Sequence, residues 1–330
     1  MLTKKQNLLE TIHGGNPDHF VNQFEALGMI MANPVSARNH RPKRGEPPTV
    51  DSWGVTFSFP ENVPGAFPVL DDAHKVLKDI EHWREVVKAP PVNYPEEEWA
   101  QFREKFVDPI DRNEQFATVF VAPGVFERSH YLMGMEDCML AMYTDPEELQ
   151  ALFDYIADWE VAYAKEVCRH YKPDALFHHD DWGSQLSSFM SPEMFEQFMV
   201  PVYKRIYGAW REGGVELIVH HADSFCANLM PQMIDIGIDI WQGCLTTNDV
   251  PALVRQYGGK MSFMGDINSG VVDVPNWTPE LIEREVRRAC ETNGKHYFIP
   301  CGVQGGPMST YPGVYEAISA AVDKMSKEMF

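Results

Sequence analysis

This 330-residue chain predicts an α/β fold built on buried parallel strands, with its reactive groups gathered at one end of the sheet. Three observations predict it. First, apolar runs end in ionisable or thiol side chains: Phe177-His178-His179-Asp180-Asp181, Leu217-Ile218-Val219-His220-His221-Ala222-Asp223 and Phe298-Ile299-Pro300-Cys301-Gly302. An unpaired buried charge is expensive, so polar groups repeated where strands stop mark an active face, as in an α/β barrel. Second, strand-like runs at 215–220, 238–242, 261–265 and 296–300 alternate with helical patterns at 225–236, 248–256 and 278–292. That rhythm is β/α with strands covered on both faces. Third, neither GxGxxG nor GxxxxGK[ST] occurs, although a doubly wound sheet, the alternative fold, invites a phosphate-binding turn after its first strand.

The remaining elements follow in order. Leu8, Leu9 and Ile12 give residues 3–14 helical spacing, and Gly14-Gly15-Asn16-Pro17 stops that helix. His19 to Phe24 is the expected first strand, with Glu25 at its end. Residues 34–70 are rich in proline and glycine, too long for a passive connection, and carry Trp53, Phe57, Phe59 and Phe67. They are expected either to cover the cleft or to form a structural hairpin cap. Helical patterns fill 72–108 around Pro90-Pro91, and Phe116 to Val121 is a strand. Helices are expected from about 125 and from Pro146 to His170, before the strand Ala175 to His178. Ser191-Pro192-Glu193 starts another helix as N-cap, N1 proline and early acid, which runs to Gly213-Gly214. Six or seven strands are visible, so a closed eight-stranded barrel needs one more from an irregular segment.

Charge narrows the partners. The formal net charge is -20, from 28 basic and 48 acidic residues. Such a surface repels phosphate backbones and anionic lipids, so neither nucleic acid nor membrane is an expected partner. The basic run from Arg38 to Arg44 lacks interleaved aromatics and reads as a solvated loop. No apolar run is long enough to span a bilayer, and the amino terminus has no secretory apolar core. Cys138, Cys168, Cys226, Cys244, Cys290 and Cys301 form no CxxC pair. Free thiols in a reducing cytoplasm are expected.

These strand ends, with APGVFERSHYLMG at 122–134, HHDDWGSQ at 178–185, LIVHHADSFCANLMPQMIDIGID, MGDIN at 264–268 and the PCGVQGG region, resemble the uroporphyrinogen decarboxylase superfamily. The resemblance implies a single (β/α)8 TIM-barrel domain over 1–330. Its cleft lies at the carboxyl ends of the strands, and the irregular segment 34–70 covers it. DDWG and Asp51-Ser52-Trp53-Gly54 look most like the corrinoid-dependent methyltransferases that demethylate methoxylated aromatics. This implies a methyl group moved from a guaiacol-, veratrole- or vanillate-type donor to the cob(I)alamin of a small corrinoid protein, leaving a phenol. Cobalamin is then a cofactor carried by the partner protein, and a homo-oligomer is compatible with the fold. The alternative is decarboxylation of uroporphyrinogen or a related small acid. The decarboxylase carries an arginine-rich amino-terminal segment for its polycarboxylate substrate, whereas residues 16–29 contain no arginine here. A polyanion would be left without partners. A binding module without turnover is the remaining class.

The resemblance also assigns roles. Methyltransferases of the superfamily bind zinc through an HxC pair and a distant cysteine. His220 and Cys301 match two of those positions, while Ala222 stands where the middle cysteine would be. Asp266 and Asp181 are candidate oxygen donors that would complete a zinc set. Asp181 is the expected acid for the departing aryl oxygen, with Asp180 beside it, or else a cap or ion-pair partner. One of His178 and His179 faces the cleft and the other packs against a helix, because adjacent strand residues point to opposite faces. His220 is preferred over His221 as the catalytic histidine, with His221 placed as a ligand contact. Glu25 is a candidate at the first strand end, and Gly302 and Gly305 let the backbone approach a ligand. Trp53, Phe57 and Trp182 are candidate aromatic walls.

Overall fold

The computed structural model describes residues 1–63 and 65–330. The apolar runs form parallel strands β1 (Leu27–Ile30), β5 (Phe116–Val121), β6 (Ala175–His179), β7 (Leu217–His221), β8 (Ile240–Cys244), β9 (Ser262–Ile267) and β10 (Phe298–Gly302). They pair in the order β1-β5-β6-β7-β8-β9-β10 as one curled seven-stranded sheet. Strands β7 to β10 are buried at every position. One face meets the barrel interior and the other the surrounding helices, so these four strands show no alternation of buried and exposed positions. The fold is the expected barrel type, with an irregular amino-terminal region.

Two apolar layers sort the strand residues by parity. Ala175, Phe177, Leu217, Val219, Ile240, Met264 and Ile299 belong to an inner cluster closed from below by Leu8 and Ile12 of the first helix. Their neighbours Leu176, Ile218, Trp241, Phe263 and Phe298 belong to the larger outer cluster against the helices. Side chains on a strand alternate with period two, so this assignment fixes which way the ends of β6 and β7 point, whereas a register shift at Gly243 breaks the alternation towards the ends of β8 and β9.

The first strand lies later than expected. Residues 19–26 are irregular, and β1 begins at Leu27. The stretch instead closes local turns: Glu25 N–H donates to Asn22 O (3.1 Å), and Leu27 N–H to Phe24 O (2.8 Å). Asn22 N–H donates to the Glu25 carboxylate (2.7 Å), and such side-chain capping competes with a ladder. This segment bridges the seam between β1 and β10. Gln23 accepts from Gly302 N–H (3.4 Å) and donates to Tyr315 O (3.1 Å) and Ser319 Oγ (2.7 Å).

Residues 34–70 contain a three-stranded antiparallel sheet, β2 (Thr49–Val50), β3 (Thr56–Ser58) and β4 (Phe67–Pro68). Asp51 anchors it. Its Oδ1 accepts from Trp53 N–H and Val55 N–H (2.9 Å each), and Arg128 donates to its Oδ2 (2.6 Å). Arg128 lies on the helix Val125–Met133 that follows β5, so the segment is tied to the carboxyl end of that strand. Among the described residues, no helix is long and apolar enough to cross a membrane.

Candidate functional site at the strand ends

Strands β6 and β7 set His178 beside His220 and His179 beside His221. Parity then divides the four. His178 and His220 continue the outer rows, and both rings are fully buried among the helices. His178 Nε2 lies 3.0 Å from Glu160. His220 Nε2–H donates to Asp180 O (3.1 Å), so its Nδ1 accepts from Tyr207 O–H (2.7 Å). Trp182 stacks on the His220 ring with centroids 3.8 Å apart. Burial pushes His220 well below its usual pKa, and it stays neutral.

His179 and His221 continue the inner rows, with ring centroids 4.5 Å apart. Gln242 donates its amide to Gly302 O (3.3 Å) and Val303 O (3.4 Å), so its oxygen accepts from His221 Nδ1–H. That bond fixes the tautomer and leaves the Nε2 lone pair of His221 free. Burial and the neighbouring His179 charge lower His221 to about 4.

Around His179 sit three carboxylates. Asp181 Oδ2 is 3.4 Å from His179 Nε2, and its Oδ1 accepts from Asp223 N–H (3.0 Å). Glu127 Oε2 is 3.6 Å from the same nitrogen. Burial works against a charged His179, but Glu127, Asp181 and Asp223 outweigh it and raise the ring to about 10. Burial likewise raises Asp181, but the hydrogen bond from His179 holds it below the ordinary carboxylate range. Glu127 is raised, first by burial and then by Asp181 and Asp180, with the His179 charge opposing. Its Oε1 accepts from Tyr131 O–H (3.0 Å), while its buried Oε2 has no hydrogen-bond partner. Ligand atoms of His179, Asp181 and His221 lie within 4.8 Å of one another, a spacing able to hold a metal ion.

A cavity of about 440 Å³ opens onto this cluster. Phe24, Met29, Phe120, Phe177 and Tyr315 form its apolar wall, and His179 and His221 close one end. Among the described residues no lysine or arginine lines it.

Most of the other expected residues lie elsewhere. The Asp180 carboxylate accepts from Phe126 N–H (3.0 Å), Glu127 N–H (2.8 Å), Trp182 Nε1–H (3.1 Å) and Tyr203 O–H. It holds the first turn of the helix Val125–Met133 and is fully buried, away from the cavity. Glu25 pairs with His19 (3.4 Å), and its carbonyl accepts from the Gln115 side chain just before β5, at the amino edge of the sheet. Asp266 is bound to Asn293 (2.6 Å) and Arg288 (3.1 Å). Cys301 is buried in the inner cluster, its thiol donating to Gly302 O (3.2 Å), and burial pushes its pKa far up. His220 faces the helices while Cys301 faces the barrel interior, so that pair does not converge. Gly305, at φ +109°, lines the cavity, whereas Gly302 is a buried strand residue. Trp182 and Trp53 pack on His220 and Trp159, and Phe57 on Tyr131, rather than on the cavity. Sequence reasoning missed Glu127, Gln242, Asp223 and the aromatic wall; Glu127 could have been found as an acid in the first turn of a helix that starts at a strand end.

Gly124 shows how closely this helix approaches β6. Its N–H donates to His179 O (2.7 Å), and a Cβ there would lie 2.5 Å from both Asp180 Cβ and Tyr203 Oη. Gly124→Ala is expected to cost about 1–3 kcal/mol by overpacking. A urea unfolding curve measures it, and an unchanged midpoint would contradict the tight contact.

A family model described as uroporphyrinogen decarboxylase (URO-D) matches residues 51–325. A methylated-thiol--coenzyme M methyltransferase of Methanosarcina mazei is 30% identical over 184 residues, which cover 55% of this chain and 47% of that protein. The chain thus matches about half the length of that relative. A solved structure of a methyltransferase from Methanosarcina mazei superposes with a TM-score of 0.65, covering 98% of this chain and 99% of the other at 16% identity. At that identity the likeness shows the shared fold.

Proposed function

The chain belongs to the uroporphyrinogen decarboxylase (URO-D) family, and we propose that it moves a methyl group from a methoxylated aromatic to the cob(I)alamin of a separate small corrinoid protein, leaving a phenol. The cavity that opens onto His179 and His221 carries this reading. Its wall is largely aromatic and apolar, His179 and His221 close one end, Gln304 and Ser309 add further polar side chains, and no lysine or arginine among the described residues lines it. A polycarboxylate would be desolvated there with a single imidazolium as cationic partner, whereas a phenyl ether buries its ring and presents one oxygen to the polar end. The relative named as a methyltransferase supports methyl transfer as the reaction class.

Phe120 and Phe177, with ring centroids 5.8 Å apart, seat the aromatic ring. The corrinoid of the partner supplies the nucleophile for the methyl carbon. As the carbon–oxygen bond breaks, its electron pair goes to the aryl oxygen, which needs a positive partner. His179 is that partner, carrying a proton that Asp181, Glu127 and Asp223 hold on the ring. It donates the proton to the departing oxygen, and Asp181 keeps the ring oriented. Asp181 is therefore assigned as the residue that positions the acid.

The same groups fit a divalent ion such as zinc. Two imidazoles and a carboxylate with an open position make a catalytic-type ligand set, and the unpartnered Oε2 of Glu127 adds a nearby acceptor. An ion held there supplies Lewis acidity to an ether oxygen. It would displace the proton from His179, because a ligating imidazole is neutral.

Anaerobic incubation with a reduced corrinoid protein and a panel of methoxyarenes is expected to give methylated corrinoid and the matching phenol. No methylation across the panel, or carbon dioxide released from a carboxylic substrate without corrinoid, would reject the reading in favour of the decarboxylase.

A further inference from the structure

A second cavity of about 200 Å³ lies between the amino-terminal segment and the helix Val125–Met133. Met31 and Phe120 line both it and the cavity at His179 and His221. The two differ in charge. The second is lined by Arg41, Arg128 and Asp51, with Trp159 and Pro123 among its apolar walls.

The charges do not cancel. Arg128 is buried and matched by Asp51 at 2.6 Å, and both oxygens of Asp51 are already engaged. Arg41 has no carboxylate partner among the described residues. Its guanidinium lies over the Phe57 ring at 3.9 Å and near the Tyr131 ring at 5.7 Å, with one long bond to Ala66 O (3.4 Å). Both guanidinium groups line the cavity, and the like charge of Arg41 adds to burial in lowering Arg128. One uncompensated guanidinium remains in a chain whose net charge is -20. Its planar face is held by aromatic rings, which leaves edge donors for a planar anion.

The cavity also lies close to the candidate reaction centre. Tyr131, beside Arg41, bonds Glu127, and Glu127 lies 3.6 Å from His179. Phe120 is shared by the two cavities' linings, with His179 in one and Arg41 in the other.

We propose that this second cavity receives a carboxylate carried by the substrate, with Arg41 as its receptor, so that the preferred methyl donor is a methoxylated aromatic monocarboxylate. The substrate assignment rests on the methyl-transfer reading above; the carboxylate site does not. One free cation selects a monoanion and gives a polycarboxylate too few partners.

Direct binding tests it without corrinoid or turnover. Calorimetric titration compares p-methoxybenzoate with its neutral amide, p-methoxybenzamide, on the purified protein. The acid is expected to bind about 10–100-fold more tightly, the range of one charge-assisted pair. Arg41→Gln should bring the two ligands within about threefold, mainly by weakening the acid, and Arg41→Lys should keep part of the preference. A thermal melt of each variant confirms folding; Arg41 is half-buried without a carboxylate partner, so the loss expected is only the small one of its contact with the Phe57 ring. Equal binding of acid and amide by the native protein, no binding of the acid, or a folded Arg41→Gln variant with full preference would each overturn the proposal. A preference lost in Arg41→Gln, alongside no methyl transfer from any methoxyarene, would keep the carboxylate site and reject the methyltransferase. Methyl transfer from neutral ethers without any acid preference would do the reverse.

Discussion

Asp181→Asn is expected to lower methyl transfer by about 10²–10⁴-fold with little change in folding. The amide keeps the volume and an oxygen for Asp223 N–H, which now donates to Asp181 Oδ1 at 3.0 Å. It loses the negative charge that faces His179 Nε2 at 3.4 Å. Without it the imidazolium is less favoured, and a divalent ion would lose its one anionic ligand of the three. The side chain is 28% exposed, so its removal leaves no deeply buried donor stranded. Single-turnover methyl transfer gives the rate, and metal content of native and variant protein separates the two roles. An ion present in the native protein and lost in the variant assigns metal ligation; equal, negligible metal in both assigns proton positioning. A folded variant with an unchanged rate would remove Asp181 from the mechanism.

Asp180→Ala is expected to cost about 3–5 kcal/mol of stability, the range for removing one partner from a buried charged network. Its carboxylate satisfies two backbone N–H groups of the next helix, the Trp182 indole and the Tyr203 hydroxyl. All four donors become unpaired in a fully buried place, and each buried donor left without a partner carries a desolvation penalty. Asp180→Asn should recover part of the loss by accepting some of these bonds. Urea unfolding followed by tryptophan fluorescence measures both. A loss below about 1 kcal/mol would show that the carboxylate does not anchor this helix.

The adjacent acids Asp180 and Asp181 thus have opposite expected consequences, one for folding and one for rate. Their sequence neighbourhood is identical, and only their partners distinguish them. Asp180 points among the helices, where four donors converge on it, while Asp181 reaches the histidine pair facing the cavity.

The later strands were legible because long apolar runs between turn signals have few other fates. The expected strands at 215–220 and 296–300 appear as Leu217–His221 and Phe298–Gly302. The first strand was misplaced because 19–26 mixes apolar residues with side chains that cap their own turns, and no local pattern reveals that Gln23 bridges a seam to β10. The aromatic wall was hidden too: Phe24, Phe120, Phe177 and Tyr315 are far apart in the chain and meet only when the sheet curls.

By itself, the sequence determined that this chain folds as parallel strands wrapped by helices and that histidines and acids gather at the strand ends. Burial cost is local, and a run such as Leu217-Ile218-Val219-His220-His221 states it directly. Tertiary structure alone decided which histidine of each pair serves the cavity. A strand covered on both faces is apolar at odd and even positions alike, so composition carries no parity. Placing Phe177 and Val219 inside the barrel turns His179 and His221 inward, and sends His178 and His220 to Glu160 and Tyr207 in the helix layer.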